Sequence, residues 1–89
     1  MIEVRVRFTD PDRSSLHRIH NFGEDLWREF RHSKAVDIDI GEIDRSRGVI
    51  RYFVRRRHLK RSLATTDDVL TRNLMKEEAA IEIGDRADT

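Results

Sequence analysis

The 89-residue chain has room for one domain with a single hydrophobic core. Its 18 Lys and Arg residues nearly balance its 17 Asp and Glu residues, so net charge creates no general attraction to nucleic acid or to membranes. The absence of cysteine excludes disulfides, thiolate metal sites and a cysteine nucleophile, and no apolar run approaches the roughly 18 residues of a membrane span. We therefore expect a cytoplasmic protein.

The first half of the chain predicts a strand, a helix and a second strand. Residues 2–8 alternate apolar and charged side chains, which is typical of a half-buried strand. Asp10 and Pro11 then form a helix-start signal. Apolar residues at spacings of three and four predict a helix over residues 14–32, with Phe22 and Trp27 flanking a stripe of Leu16, Ile19, Gly23, Leu26 and Phe30. Residues 36–40 alternate again and predict a second strand.

The second half predicts a turn followed by another strand, a second helix and a last strand. Residues 44–48 predict a turn and residues 49–55 a third strand, paired with the second as a hairpin. A stripe predicts a second helix over residues 58–75, formed by Leu59, Leu63, Thr66, Leu70 and Leu74. Residues 80–83 predict a short last strand, and residues 85–89 a polar tail.

This order of elements is the split βαβ pattern of ferredoxin-like folds. We predict a two-layer α+β sandwich of the βαββαβ type, forming one domain over residues 1–84. Its four-stranded antiparallel sheet has strands 1 and 3 at the centre and both helices on one face. The other face is left open.

The open face is predicted to carry a balanced set of charges. The central strands contribute basic side chains and one aromatic ring, namely Arg5, Arg7, Arg51, Phe53 and Arg55. The edge strands contribute acidic side chains, namely Asp37, Asp39 and Glu82. Opposite charges on neighbouring strands stabilise a sheet, so a cross-strand charge ladder explains most of this basic character.

RNA binding is a competing interpretation of the same face. Residues 47–54, RGVIRYFV, resemble the opening of the third-strand signature of RNA-recognition modules. Val49 and Arg51 stand where that signature has its leading aromatic residues, and Arg5 stands where the first strand would need one. Because base stacking requires those rings, nucleic-acid binding is the less favoured interpretation.

The charge ladder leaves one cluster unexplained. Residues 45–61 contain eight basic and no acidic side chains, and five of them surround the predicted start of the second helix: Arg55, Arg56, Arg57, Lys60 and Arg61. Backbone N–H groups and cations together suit a phosphate, a carboxylate or an acidic partner. A solvated basic turn is the alternative.

Other candidate sites have simpler explanations. His17, His20 and Glu24 are spaced along one helix face as metal ligands can be, but surface histidines are the simpler interpretation. Ser14 and Ser15 have no visible catalytic partner. The paired acids Asp67–Asp68 and Glu77–Glu78 are typical of solvated helix residues, and Trp27 suits either a sheet boundary or an interface anchor. We predict no catalytic residue, metal or cofactor.

The segments LHRIHNFGEDL and VDIDIGEI are similar to those of small uncharacterised bacterial proteins, and that resemblance implies a ferredoxin-like fold without an assigned activity. The Arg-rich composition also suggests a bacterial source. The function we predict is a non-catalytic interaction module that self-associates, as a homodimer, through the open sheet face or an edge strand. The alternative is binding of nucleic acid or an anionic ligand through residues 55–61.

Overall fold

The computed structural model describes residues 2–10, 16–32 and 48–85. These residues form three strands and two α-helices in the order β1 (Ile2–Phe8), α1 (Leu16–His32), β2 (Val49–Val54), α2 (Leu59–Arg72) and β3 (Ala79–Asp85). Short 3₁₀ turns, Arg56–His58 and Lys76–Glu78, precede α2 and β3. The sheet is antiparallel with the order β2-β1-β3, so β1 is its central strand.

The prediction of a four-stranded sheet is wrong for the described part of the chain, where the sheet has three strands. The strand predicted at residues 36–40 lies outside the described residues. Alternating side chains indicate an extended segment locally, whereas membership of a sheet depends on hydrogen bonds to a neighbour that the pattern does not contain. The α+β class is confirmed.

The core lies between the sheet and both helices. All even-numbered side chains of β1, together with Ile50, Tyr52 and Val54 of β2, are buried. The Phe8 and Phe22 rings pack edge to face at 5.6 Å between centroids, and Phe30 packs in the same way on Tyr52 at 5.0 Å. Since Phe8 and Tyr52 lie on the same sheet face, α1 covers that face.

Helix α1 is continuous through Gly23, which is buried among the residues that face the sheet. Leu16 is 68% exposed although it was predicted to lie in the core stripe, whereas the predicted flanking residue Phe22 is completely buried. The apolar stripe is therefore rotated slightly from its predicted position.

Helix α2 is fastened to β2 by a chain of hydrogen bonds inside the core. The Thr66 hydroxyl donates to the backbone carbonyl of Ser62 at 2.8 Å, which leaves its oxygen to accept from the Tyr52 hydroxyl at 2.8 Å. Burial raises the pKa of Tyr52, and the hydrogen bonds oppose that effect only partly. The phenol thus holds α2 over the sheet in its neutral form.

Charged side chains join the two helices at their exposed rims. Arg72 of α2 lies 3.0 Å from the Glu29 carboxylate of α1. Arg18 of α1 lies 3.2 Å from the Glu78 carboxylate and also donates to the backbone carbonyl of Leu74. The start of α1 is therefore bound to the segment between α2 and β3.

Helix α2 ends in a Schellman motif, three residues earlier than predicted. The N–H of Met75 donates to the carbonyl of Leu70 at 2.9 Å, and the N–H of Leu74 donates to the carbonyl of Thr71 at 3.0 Å. Leu74 occupies the left-handed position of the motif with φ of 58°, where glycine is preferred, and its side chain is 84% exposed. A residue with a Cβ atom at this position costs roughly 1–2 kcal/mol in backbone strain.

We expect Leu74→Gly to raise the free energy of unfolding by about 1 kcal/mol, because glycine adopts positive φ without strain. Urea unfolding followed by circular dichroism measures this change. The matched variant Leu74→Ala removes the exposed side chain but keeps the Cβ atom, and it should leave stability nearly unchanged. Equal stability of the Gly and Ala variants would contradict the strain.

Candidate functional site

The odd-numbered side chains of β1 form the centre of the sheet face opposite the core. Strand register places Arg5 directly opposite Arg51 of β2 on one side and Glu82 of β3 on the other. Like charges directly opposite each other destabilise a sheet. The carboxylates relieve this repulsion, since Glu82 lies 3.7 Å from Arg5 and Glu3 lies 3.8 Å from Arg51.

Glu82 makes the shortest ion pair found on this face in the described ranges. Arg7 Nε donates to Glu82 Oε1 at 2.6 Å, while Arg5 makes the longer contact. This hydrogen bond from Arg7 is the main reason that the pKa of Glu82 lies below its ordinary value of 4.5, and Coulombic attraction by both arginines adds to it. The predicted neutralisation of central arginines by an edge carboxylate is present at this position.

The remaining predicted members of the open face have different surroundings. Phe53 lies on the same face and is half-buried, opposite Glu3 of β1. Arg55 follows the end of β2 and is exposed. Asp37 and Asp39 lie outside the described residues. The acidic contribution observed in the described ranges therefore comes from Glu3 on the central strand and Glu82 on β3.

Strand β3 presents an exposed edge. Thr9 N–H donates to the carbonyl of Glu78 at 3.0 Å, which continues the β1–β3 register by one pair. Because the backbone groups of antiparallel strands alternate in direction, the even-numbered residues of β3 bond to β1 and the odd-numbered residues point outward. Within the described ranges no further strand pairs with those outward groups.

Two exposed isoleucines accompany this edge. Ile81 and Ile83 lie opposite the buried residues Val6 and Val4, so their side chains are on the helix-covered face. They nevertheless remain 37% and 51% exposed, because β3 is the outermost described strand on this side of the sheet. Neither a proline nor a lysine protects the strand, although such residues commonly prevent edge-to-edge association.

Only three of the five basic residues predicted to bind anions line a common depression. Arg57, Lys60 and Arg61 line a shallow depression of about 560 Å³, together with His58 and Ala64. Arg55 and Arg56 are exposed but do not line it. Arg55 precedes the 3₁₀ turn and Arg56 begins it, so both lie before the first residue of α2, a division that helical spacing alone does not reveal.

The other polar candidates lie on the surface. His20 lies 3.8 Å from Glu24, and His17 is exposed. No group of three or more His, Asp or Glu side chains in the described ranges is arranged to hold a metal ion. Ser14 and Ser15 lie outside the described residues.

Three of the four paired acids, Asp67, Asp68 and Glu78, make ion pairs. Asp67 lies 3.4 Å from Lys76, and Asp68 lies 3.5 Å from Arg72. Glu78 is the partner of Arg18 described above. Trp27 is 38% exposed, with the guanidinium of Arg31 lying 4.9 Å from its ring centroid.

Sequence reasoning treated β3 as a four-residue strand, whereas the structure extends it over Ala79–Asp85, one residue into the predicted polar tail. The extension adds three of the seven residues of the exposed edge. In the sequence, the alternating isoleucines Ile81 and Ile83, flanked by small residues, are the feature that indicates this longer strand. Residues 86–89 of the predicted tail lie outside the described part of the chain.

Comparison with known proteins gives no relative from which to infer a function. No protein-family model matches the chain, and neither the curated proteins nor the solved structures give a significant match. The resemblance to small bacterial proteins stays a prediction. Neither helix in the described ranges has the length and apolar character needed to cross a bilayer.

We expect Glu82→Gln to lower stability at pH 7, because the variant loses the charge that Arg7 and Arg5 bind. The folded-state pKa of Glu82 is lowered, so the ion-pair contribution is present above pH 4.5 and is lost as pH falls through the folded-state pKa. The stability difference between wild type and variant should therefore shrink at pH 3 in urea unfolding. Glu77→Gln, at an exposed acid beside β3, is the matched control, and an equal difference at both pH values would refute the assignment.

Proposed function

We propose that the protein is a small non-catalytic interaction module that self-associates through the exposed edge of β3. The observation that carries this proposal is the coincidence of outward backbone N–H and C=O groups with two exposed isoleucines on the same strand, Ile81 and Ile83. An unpaired strand edge is a ready template for pairing with another strand. Apolar side chains beside it add burial that hydrogen bonds alone do not provide.

The edge is better suited to this role than the open face, although both were candidates from the sequence. Arg5, Arg7 and Arg51 already bind carboxylates of their own chain on that face. A partner would have to replace these ion pairs or leave them at the interface rim, where they contribute little. The backbone groups at the β3 edge have no such internal competitor among the described residues.

A small interface implies reversible association. An edge-to-edge junction buries less surface than the about 1,200–2,000 Å² of a standard stable interface, so we expect a dissociation constant in the micromolar range. We further propose a cytoplasmic location and a bacterial source, which rest on composition alone. The absence of catalysis is likewise a proposal, supported by the surface ion pairs that engage the acidic side chains of α2.

The second candidate function is binding of a phosphate-bearing ligand, including nucleic acid, at the start of α2. The depression lined by Arg57, Lys60 and Arg61 favours it, because cations and the first N–H groups of a helix attract anions together. Arg55 and Arg56 would then assist only through their longer-range field.

Association through the β3 edge predicts that Ile83→Lys weakens the dimer at least about tenfold, equivalent to about 1.4 kcal/mol. A lysine on an edge strand opposes pairing because its charge would have to be desolvated. Light scattering and sedimentation over micromolar concentrations measure the change. Leu16→Lys introduces the same charge at an exposed leucine that begins α1, and it should leave the dimer intact. A strictly monomeric wild-type protein would refute the proposed function.

Anion binding at the start of α2 predicts amide shifts around Lys60 when inorganic phosphate is added in an NMR titration. Lys60→Glu should weaken phosphate binding several-fold, whereas Lys76→Glu, which changes net charge equally near β3, should not. Added sodium chloride should weaken the binding, since phosphate contacts depend on salt. Equal effects of the two variants would exclude a local site.

A further inference from the structure

Building on the proposed self-association, we infer that two copies of the chain pair their β3 strands antiparallel about a two-fold axis at Glu82. The partner is therefore a second copy of this chain in one defined register. The result is a continuous six-stranded sheet with the order β2-β1-β3-β3-β1-β2. Closed two-fold symmetry is the commonest arrangement of homo-oligomers and uses the same surface on both subunits.

The direction of the backbone groups limits the register. Only odd-numbered residues of β3 point their N–H and C=O groups outward, so hydrogen-bonded pairs must join odd residues of both copies. Three symmetric registers satisfy this condition near the middle of the strand. Their two-fold axes pass through Ile81, Glu82 or Ile83.

The axis at Glu82 uses the edge most fully. It pairs residue 79 with residue 85 and Ile81 with Ile83, in both directions, so every outward-pointing residue of Ala79–Asp85 has a partner. An axis at Ile81 leaves residue 85 without a partner and places Ile83 opposite Ala79. An axis at Ile83 places Ile81 opposite the aspartate at position 85. Only the axis at Glu82 places an isoleucine opposite both Ile81 and Ile83.

The side chains fit this register on both sheet faces. On the helix-covered face, the two Ile81–Ile83 pairs bring four partly exposed isoleucines together. On the other face, the small residues Ala80 and Gly84 lie opposite each other, which permits close approach of the strands. A Cβ atom at Gly84 would meet the Arg5 guanidinium at an ordinary contact distance of 3.8 Å, so this position also accepts a side chain.

The charges at the axis are compatible with pairing. Two Glu82 carboxylates directly opposite each other would repel. Each is already bound by Arg7 at 2.6 Å and approached by Arg5 at 3.7 Å within its own chain. Two carboxylates thus meet among four guanidinium groups, so attraction between opposite charges outweighs repulsion between the acids.

Cysteine cross-linking tests the register, because the native chain has no cysteine. Ala80→Cys and Gly84→Cys are made as separate variants, mixed and oxidised mildly, and the products are separated by intact mass. Opposite residues of a non-hydrogen-bonded antiparallel pair lie about 4.5 Å apart at Cα, within disulfide range. We expect the mixed 80–84 disulfide to exceed either homodisulfide by about tenfold, since neither variant lies opposite itself in this register.

Glu82→Cys provides a second readout if either variant folds poorly in circular dichroism. This residue lies on the axis and should cross-link to its own copy, whereas Ile81→Cys and Ile83→Cys should not. A dimer in light scattering without the 80–84 or 82–82 disulfide overturns the register while leaving self-association standing. A monomer in light scattering overturns the proposed function itself, so the two failures are distinguishable.

Discussion

The antiparallel pairing of β1 with strands on both sides is the constraint on which the rest of the molecule depends. Its alternating side chains send Val4 and Val6 into the core and Arg5 and Arg7 to the opposite face. A shift of one residue in either pairing would exchange these faces and bury guanidinium groups. The cost of burying those charges therefore excludes a one-residue shift and fixes which face of the sheet is polar.

This register creates a repulsion that the chain then resolves. It sets Arg5 opposite Arg51. The repulsion between them is reduced because Glu82 of β3 lies beside Arg5 and Glu3 of β1 lies beside Arg51. The arginines Arg5, Arg7 and Arg51 of the two strands are thus paired with carboxylates of the same chain. In the described ranges, five basic residues without an acidic neighbour in sequence lie before and at the start of α2, namely Arg55, Arg56, Arg57, Lys60 and Arg61.

The two helices that cover this sheet leave β3 only partly covered. Ile81 and Ile83 point to the side that carries the helices, yet both stay exposed while Val4 and Val6 beside them are fully buried. Exposed apolar residues on a free strand edge are a hazard for aggregation unless the edge has a specific partner. A symmetric pairing in one register would convert that hazard into a defined interface.

Some of these features were predictable from the sequence and others were not. The period-two alternation of residues 2–8 was sufficient to assign β1 and its two faces, and the three- and four-residue spacings located both helices, because these patterns record burial directly. The burial of Phe22 in place of Leu16 and the end of α2 at Arg72 were not visible in these spacings. Leu74 shows the limit clearly, since its place in the leucine stripe predicts burial, whereas the Schellman turn exposes it.

Residue identity and spacing by themselves determined which side chains share a face and that opposite charges would meet across the strands. The tertiary structure decided which acid pairs with which arginine, that Arg57, Lys60 and Arg61 line one depression without Arg55 or Arg56, and that β3 ends the described sheet with an open edge. The physical reason is that periodicity reports only the local alternation of burial, while ion-pair partners and strand edges are set by distances between segments far apart in the chain.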